Sequence, residues 1–155
     1  MAGTIDARLK ELGVALPQAA APAANYVPAV RSGAMLYISG QLPMENGEIK
    51  VKGKLGGGVS VEDGAEAARL CALNIVAQAK AALGGDLDRV VRVVKLVGFV
   101  NSAPDFTEQP KVVNGASNMM ADIFGDKGKH ARSAVGVGAL PFDVAVEVEA
   151  ILEIS

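Results

Sequence analysis

The stretch His130-Ala-Arg-Ser-Ala-Val-Gly-Val-Gly-Ala-Leu-Pro-Phe-Asp-Val-Ala-Val-Glu-Val-Glu-Ala150, continued by Ile151-Leu-Glu-Ile154, reads as two strands with a short connection, Leu140 to Asp143. The second strand, Val144 to Ile154, alternates. Val146, Val148, Ala150, Leu152 and Ile154 share one face, and Glu147, Glu149 and Glu153 the other. A period of two puts the first set on a core and the second toward water. The first strand, Arg132 to Ala139, is less ordinary. Its odd positions, Ser133, Val135, Val137 and Ala139, read as a core face. Its even positions carry one large cation, Arg132, and then Ala134, Gly136 and Gly138. Glycines at alternate strand positions mark a close approach by a ligand or another backbone. An arginine beside that space can fork two hydrogen bonds onto a carboxylate. The alternative is a solvated arginine on a glycine-softened edge.

Working outward, Val90 to Val100 is β-branched and apolar along most of its length, as for a central strand buried on both faces. Between it and Arg132, a helix is expected over Gln109 to Phe124. Val112, Val113, Ala116, Met119, Met120, Ile123 and Phe124 recur at helical spacing, and Pro110 is tolerated in the first turn. Gly125 to Lys129 reads as a polar loop. Upstream, Ser60 opens a long helix, with Asp63 completing a variant capping box. Ala67, Leu70, Cys71, Asn74, Ile75, Gln78 and Ala82 form its stripe, and Gly84-Gly85 stops it. Gly56-Gly57-Gly58 lacks the features of a phosphate loop and reads as a plain loop. Asn46-Gly47 signals a hairpin between the strand Met35 to Ser39 and a return over Ile49 to Val51. Thr4 is a candidate cap for a first helix carrying Ile5, Leu9 and Leu12, ended by Gly13. Residues 15–25 read as an extended Ala/Pro-rich connector. The order of elements implies an α+β fold, a mixed sheet covered on one face by two helices.

At 155 residues one domain is expected, large enough to bury a core without disulfide or metal. Half the residues are hydrophobic, mean hydropathy is +0.30, and only 4% are aromatic. That composition suits tight packing or a face covered by a second subunit. A net charge of -2 argues against a nucleic-acid partner. No membrane span is expected, because no apolar run approaches about 18 residues. Asp6, Arg8 and Lys10 break any secretory leader. With Cys71 as the single cysteine, these features point to the cytosol. One cysteine and one histidine, His130, cannot make a Cys/His zinc site, and no nucleophile elbow is present. Neither metal nor cofactor is expected. Cys71 reads as a buried small apolar residue.

The segment from His130 to Ala150 resembles the C-terminal signature of the RidA, or YjgF, family, which carries the older label endoribonuclease L-PSP. Ser39-Gly40-Gln41-Leu42-Pro43, Leu73-Asn74-Ile75, Asp86-Leu87-Asp88-Arg89-Val90 and Val113-Asn114 resemble further family blocks, in order, between about Asn25 and Ile154. The resemblance implies a chorismate-mutase-like fold and a homotrimer with clefts between subunits. It also implies hydrolysis of small imino or enamine acids, such as 2-aminoacrylate, to a keto acid and ammonia. On that resemblance Arg132 binds the substrate carboxylate and Glu147 orients the attacking water. Tyr26, Ser39 and Asn114 line the cleft, and the backbone near Ala134 binds the iminium nitrogen. By themselves, Glu147 reads as a solvated strand-face carboxylate, Tyr26 as a strand-edge aromatic and Ser39 as a strand end. The alternative function is a trimer that binds small carboxylates or 2-keto acids without turnover. The family label also suggests RNA cleavage, which the acidic balance and the lone histidine disfavour. His130 stands where the family often has proline, and Ala134 where many members have cysteine. With the added N-terminal helix and longer loops at 53–59 and 107–111, the chain resembles a longer branch.

Overall fold

The chain builds a five-stranded sheet with its helices on one side; the computed structural model describes residues 3–21 and 25–155. The elements are α1 (Thr4–Glu11), β1 (Ala29–Ser32), β2 (Met35–Gln41), β3 (Met44–Glu45), β4 (Glu48–Ile49), β5 (Lys54–Leu55), β6 (Gly58–Val59), α2 (Val61–Ala82), β7 (Val90–Asn101), α3 (Gln109–Phe124), β8 (Ala131–Val137) and β9 (Val146–Ile154). The main sheet runs β1-β2-β9-β7-β8. Its neighbours are antiparallel except for β7 and β8, which α3 joins in parallel as a crossover helix. The expected α+β arrangement is therefore present, with β9 in the middle of the sheet.

The core lies between the sheet and the helices. Ala67, Ala68, Cys71, Ala72, Ile75 and Val76 of α2 are buried against Val146, Val148 and Ala150 of β9, among others. Cys71 Sγ donates to the Val146 carbonyl at 3.6 Å, and burial pushes its thiol pKa far up, so it behaves as the inert apolar residue expected. Ser60 Oγ accepts the Asp63 N–H at 3.1 Å, the cap read from sequence. Gly115 sets the closeness of α3 to α2: a Cβ there would lie 1.9 Å from the Ala65 carbonyl oxygen. Asn74, buried on α2, donates to the carbonyls of Leu42 (3.3 Å) and Met44 (2.9 Å), fixing the chain where it leaves β2.

Among the described residues no helix lies on the other face of the sheet, which corrects two expectations. Only one face of β7 is covered: Val93, Leu96 and Val100 are buried, while Val91 is 39% exposed. Its β-branched composition reflects strand propensity rather than two-sided burial. On β8 the faces are reversed. The register sets Arg132 beside Leu96, Ala134 beside Gly98 and Gly136 beside Val100, so the even positions face the helix layer. The odd position Val135 is 42% exposed. Alternation within one strand does not say which face the helices cover; the pairing with β7 does.

Smaller differences are local. Asn46 (φ 53°) and Gly47 (φ 78°) form the expected two-residue turn, but it joins Met44–Glu45 to Glu48–Ile49, residues 35–39 pair instead with β1 and β9 as part of β2, and Val51 turns away at φ 57°. Edge strand β1 was not anticipated. The connector has no regular structure as far as Ala21, and residues 22–24 lie outside the described residues. Residues 125–128 of the expected polar loop close into a short 3-10 turn. Among the described residues no helix is long and apolar enough to cross a membrane.

Thr4 does not cap α1. Gly3 holds the N-cap position, and the Asp88 carboxylate accepts the N–H groups of Thr4 (2.8 Å) and Ile5 (2.9 Å). The bond from Ile5, then that from Thr4, holds the Asp88 carboxyl below the usual aspartate range. A lowered folded-state pKa stabilises above the unfolded value and is lost as pH falls through the lower one. Asp88→Ala is therefore expected to speed amide exchange in α1 at neutral pH and leave β9 protected. The wild type should loosen in α1 only below the ordinary aspartate range; equal α1 exchange in both proteins at neutral pH would refute the cap.

Candidate functional site

Arg132 lies on the edge strand β8, with its side chain on the helix side of the sheet. Its Nη1 donates to Asn114 Oδ1 at 2.8 Å and to Ser117 Oγ at 3.2 Å. Asn114 and Ser117 are three apart on α3, hence on one helix face. Ser117 Oγ is also 2.9 Å from His130 Nε2, and His130 Nδ1 is 2.6 Å from the Gly128 carbonyl oxygen. Guanidinium has five N–H donors. Among the described residues only Nη1 is engaged, and no protein carboxylate pairs with Arg132. The remaining donors suit a small anion. Sequence reading found Arg132 and Asn114 but not Ser117, whose only signal was its spacing of three from Asn114.

The glycine reading needs correction. A Cβ on Gly136 would meet Gln109 Nε2 at 2.7 Å and Ser102 Oγ at 3.1 Å, so side chains of the protein fill that space. Gly138 has nothing within 4 Å of such a Cβ. Ala134 packs partly buried against the core.

Glu147 lies on the uncovered side. It pairs across the ladder with Phe99, while the next residue, Gly98, faces Val113 on α3. The Glu147 side chain folds over Gly40, where a Cβ would come 2.4 Å from Oε2. Burial, and after it the neighbouring charge of Glu149, raises the Glu147 carboxyl pKa. Ser39 Oγ donates to the Pro28 carbonyl at 3.2 Å. Ser39 also lines a groove of about 320 Å³ on this side with Val27, Val30, Tyr37, Lys95 and Glu149. Tyr26, next to Val27, is 58% exposed.

The expected residues thus form two groups. Arg132, Asn114 and Ala134 belong to the helix side; Glu147 and Ser39 belong to the uncovered side, with Tyr26 beside them in sequence. Within one chain Arg132 and Glu147 do not meet. Among the described residues no cluster of three or more His, Cys, Asp or Glu could hold a metal.

A family model described as "YjgF/chorismate mutase-like, putative endoribonuclease" matches residues 6–153. Protein TCP17 of Trypanosoma cruzi is 54% identical over 154 residues, 99% of this chain and 96% of that protein. The crystal structure of Atu1372 from Agrobacterium tumefaciens, described as of unknown function, is 56% identical with a TM-score of 0.92, covering 97% of this chain and 92% of that one. TdcF of E. coli, solved with bound serine, is 28% identical with a TM-score of 0.63, covering 89% and 94%.

Proposed function

The chain belongs to the YjgF/chorismate mutase-like family, and from that premise we propose that it is a cytosolic hydrolase of small 2-imino and enamine acids, releasing a 2-keto acid and ammonia. The observation that carries this reading is the Arg132 guanidinium, braced by Asn114 and Ser117 on one nitrogen, with its other donors unengaged among the described residues. A carboxylate docked there has its adjacent C=N bond fixed in direction. Water adds to the electrophilic iminium carbon, and the carbinolamine collapses to keto acid and ammonia. Glu147, with its raised carboxyl pKa, is a suitable acceptor for the proton of that water. The serine bound to TdcF supports a small amino-acid-like ligand for this family.

Because Arg132 and Glu147 lie on opposite sides of one sheet, the reaction needs a second copy to bring them together. We propose a homotrimer whose subunits meet through the uncovered sheet face, where Val30 is 52%, Tyr37 47% and Val135 42% exposed. Val30→Glu combined with Tyr37→Glu is expected to give folded monomers by light scattering, with ammonia release lost. A wild type that is already monomeric and active would sink the proposed assembly.

The same separation favours a second reading, a carboxylate binder without turnover. Thermal stabilisation by pyruvate without accelerated ammonia release from freshly generated 2-aminoacrylate would select it over the hydrolase.

A further inference from the structure

His130 sits at the end of a hydrogen-bond chain whose direction is fixed by chemistry. The Gly128 carbonyl can only accept, so the 2.6 Å contact requires a proton on His130 Nδ1. In a neutral imidazole Nε2 then has a free lone pair, and at 2.9 Å the Ser117 hydroxyl must donate to it. That leaves the Ser117 lone pairs facing Arg132 Nη1, which donates into them at 3.2 Å. Each group in the chain from Arg132 through Ser117 and His130 to Gly128 has one consistent role. Asn114 Oδ1 holds the same Nη1 from a second direction.

We propose that His130 is a positioning residue which, through Ser117, sets the orientation of the Arg132 guanidinium, and that it does so only as the neutral imidazole. This inference rests on the reading of Arg132 as the carboxylate anchor. Protonation would make Nε2 a second donor aimed at Ser117 Oγ. One hydroxyl oxygen would then bridge two cations, and their repulsion favours release of Nη1 from Ser117. α3 presents the uncharged Asn114 and Ser117 to the chain, and β8 presents Arg132. The 3-10 turn and the residue after it carry Lys127, and Asp126 paired with Lys129 at 3.1 Å. Arg92 and Lys95 of β7 oppose Glu153 and Ile151 on the uncovered side. The released guanidinium and the added positive charge still attract a carboxylate. Alignment suffers rather than capture, so turnover falls on protonation while KM does not rise.

His130 is the chain's only histidine, which makes the test direct. In 15N NMR the neutral ring is expected as the Nδ1–H tautomer. The Arg132 side-chain signal should change in the same pH step as the imidazole, and in Ser117→Ala that arginine step should vanish while the imidazole still titrates. In turnover assays above that step, His130→Ala is expected to lower kcat about tenfold with KM little changed. His130→Gln, which offers Ser117 an amide oxygen but no titration, should restore kcat and abolish the pH step attributable to His130. An Nε2–H tautomer, an Arg132 signal indifferent to the imidazole step, or a glutamine variant as slow as alanine would overturn the proposal. Absent ammonia release by the wild type would instead sink the hydrolase reading, and the NMR titration would still decide the role of His130.

Discussion

Arg132→Ala is expected to lower kcat/KM for ammonia release from 2-aminoacrylate by about 10³-fold, the effect of losing roughly 4 kcal/mol of charge-assisted hydrogen bonding to the substrate carboxylate. On the proposed hydrolase reading the loss should fall on both constants, because the same fork would capture the acid and direct its C=N bond. Folding should be little affected. The side chain is bonded only to Asn114 and Ser117 among the described residues, and both can turn to water when it goes. Arg132→Lys separates charge from shape: an ammonium keeps the attraction but cannot present two parallel N–H groups, so it should recover binding more than turnover. Steady-state assays with the imine generated in situ, alongside circular dichroism, check this. Unchanged kcat/KM in a folded Arg132→Ala protein would remove Arg132 from the reaction.

Gly115→Ala is expected to destabilise the fold by about 3 kcal/mol, lowering Tm by about 9 °C. The direction opposes intrinsic propensity, since alanine in a helix interior is ordinarily favoured over glycine by roughly 1 kcal/mol. Here the new methyl carbon would start 1.9 Å from the Ala65 carbonyl oxygen and 2.7 Å from its carbon. A backbone atom cannot swing aside as a side chain does, so α2 and α3 must separate and loosen the packing of Val112, Ala116 and their neighbours. Asn118→Ala, one turn along and on the exposed side of the same helix, serves as the control and should be nearly neutral. Urea midpoints of the three proteins give the comparison; a stabilised Gly115→Ala would show that the helices are not held in that close contact.

Much of the architecture was legible because local rules and burial agreed. β9 announced itself by strict alternation, and α2 and α3 by apolar spacing, the Ser60 cap and an early Pro110. What stayed hidden depended on partners distant in sequence. The cap of α1 comes from a carboxylate 84 residues away, which no local pattern foretells. The inner face of β8 could not be chosen from Ser133, Val135 and Val137 alone, because apolar residues also occupy a face that a second chain is proposed to cover. The site was legible to the same extent. Arg132 and Asn114, two of the residues the resemblance points to, are bonded to each other on the helix side. Glu147 and Ser39 are kept apart from them by a register that only pairing reveals, and Ser117 entered through a hydrogen bond rather than a motif.

The central place of β9 has a consequence during synthesis. The ribosome makes this strand after β2 and β7, yet it must enter between them, so β1–β2 and β7–β8 can pair early while both ladders to β9 stay open until it emerges. Until then the nascent chain carries two half-sheets with raw apolar surfaces, a state prone to capture by chaperones or by other nascent chains. A stop codon just before Val146 would accordingly delete the keystone rather than trim an edge, and such a product should be cleared by proteolysis rather than accumulate.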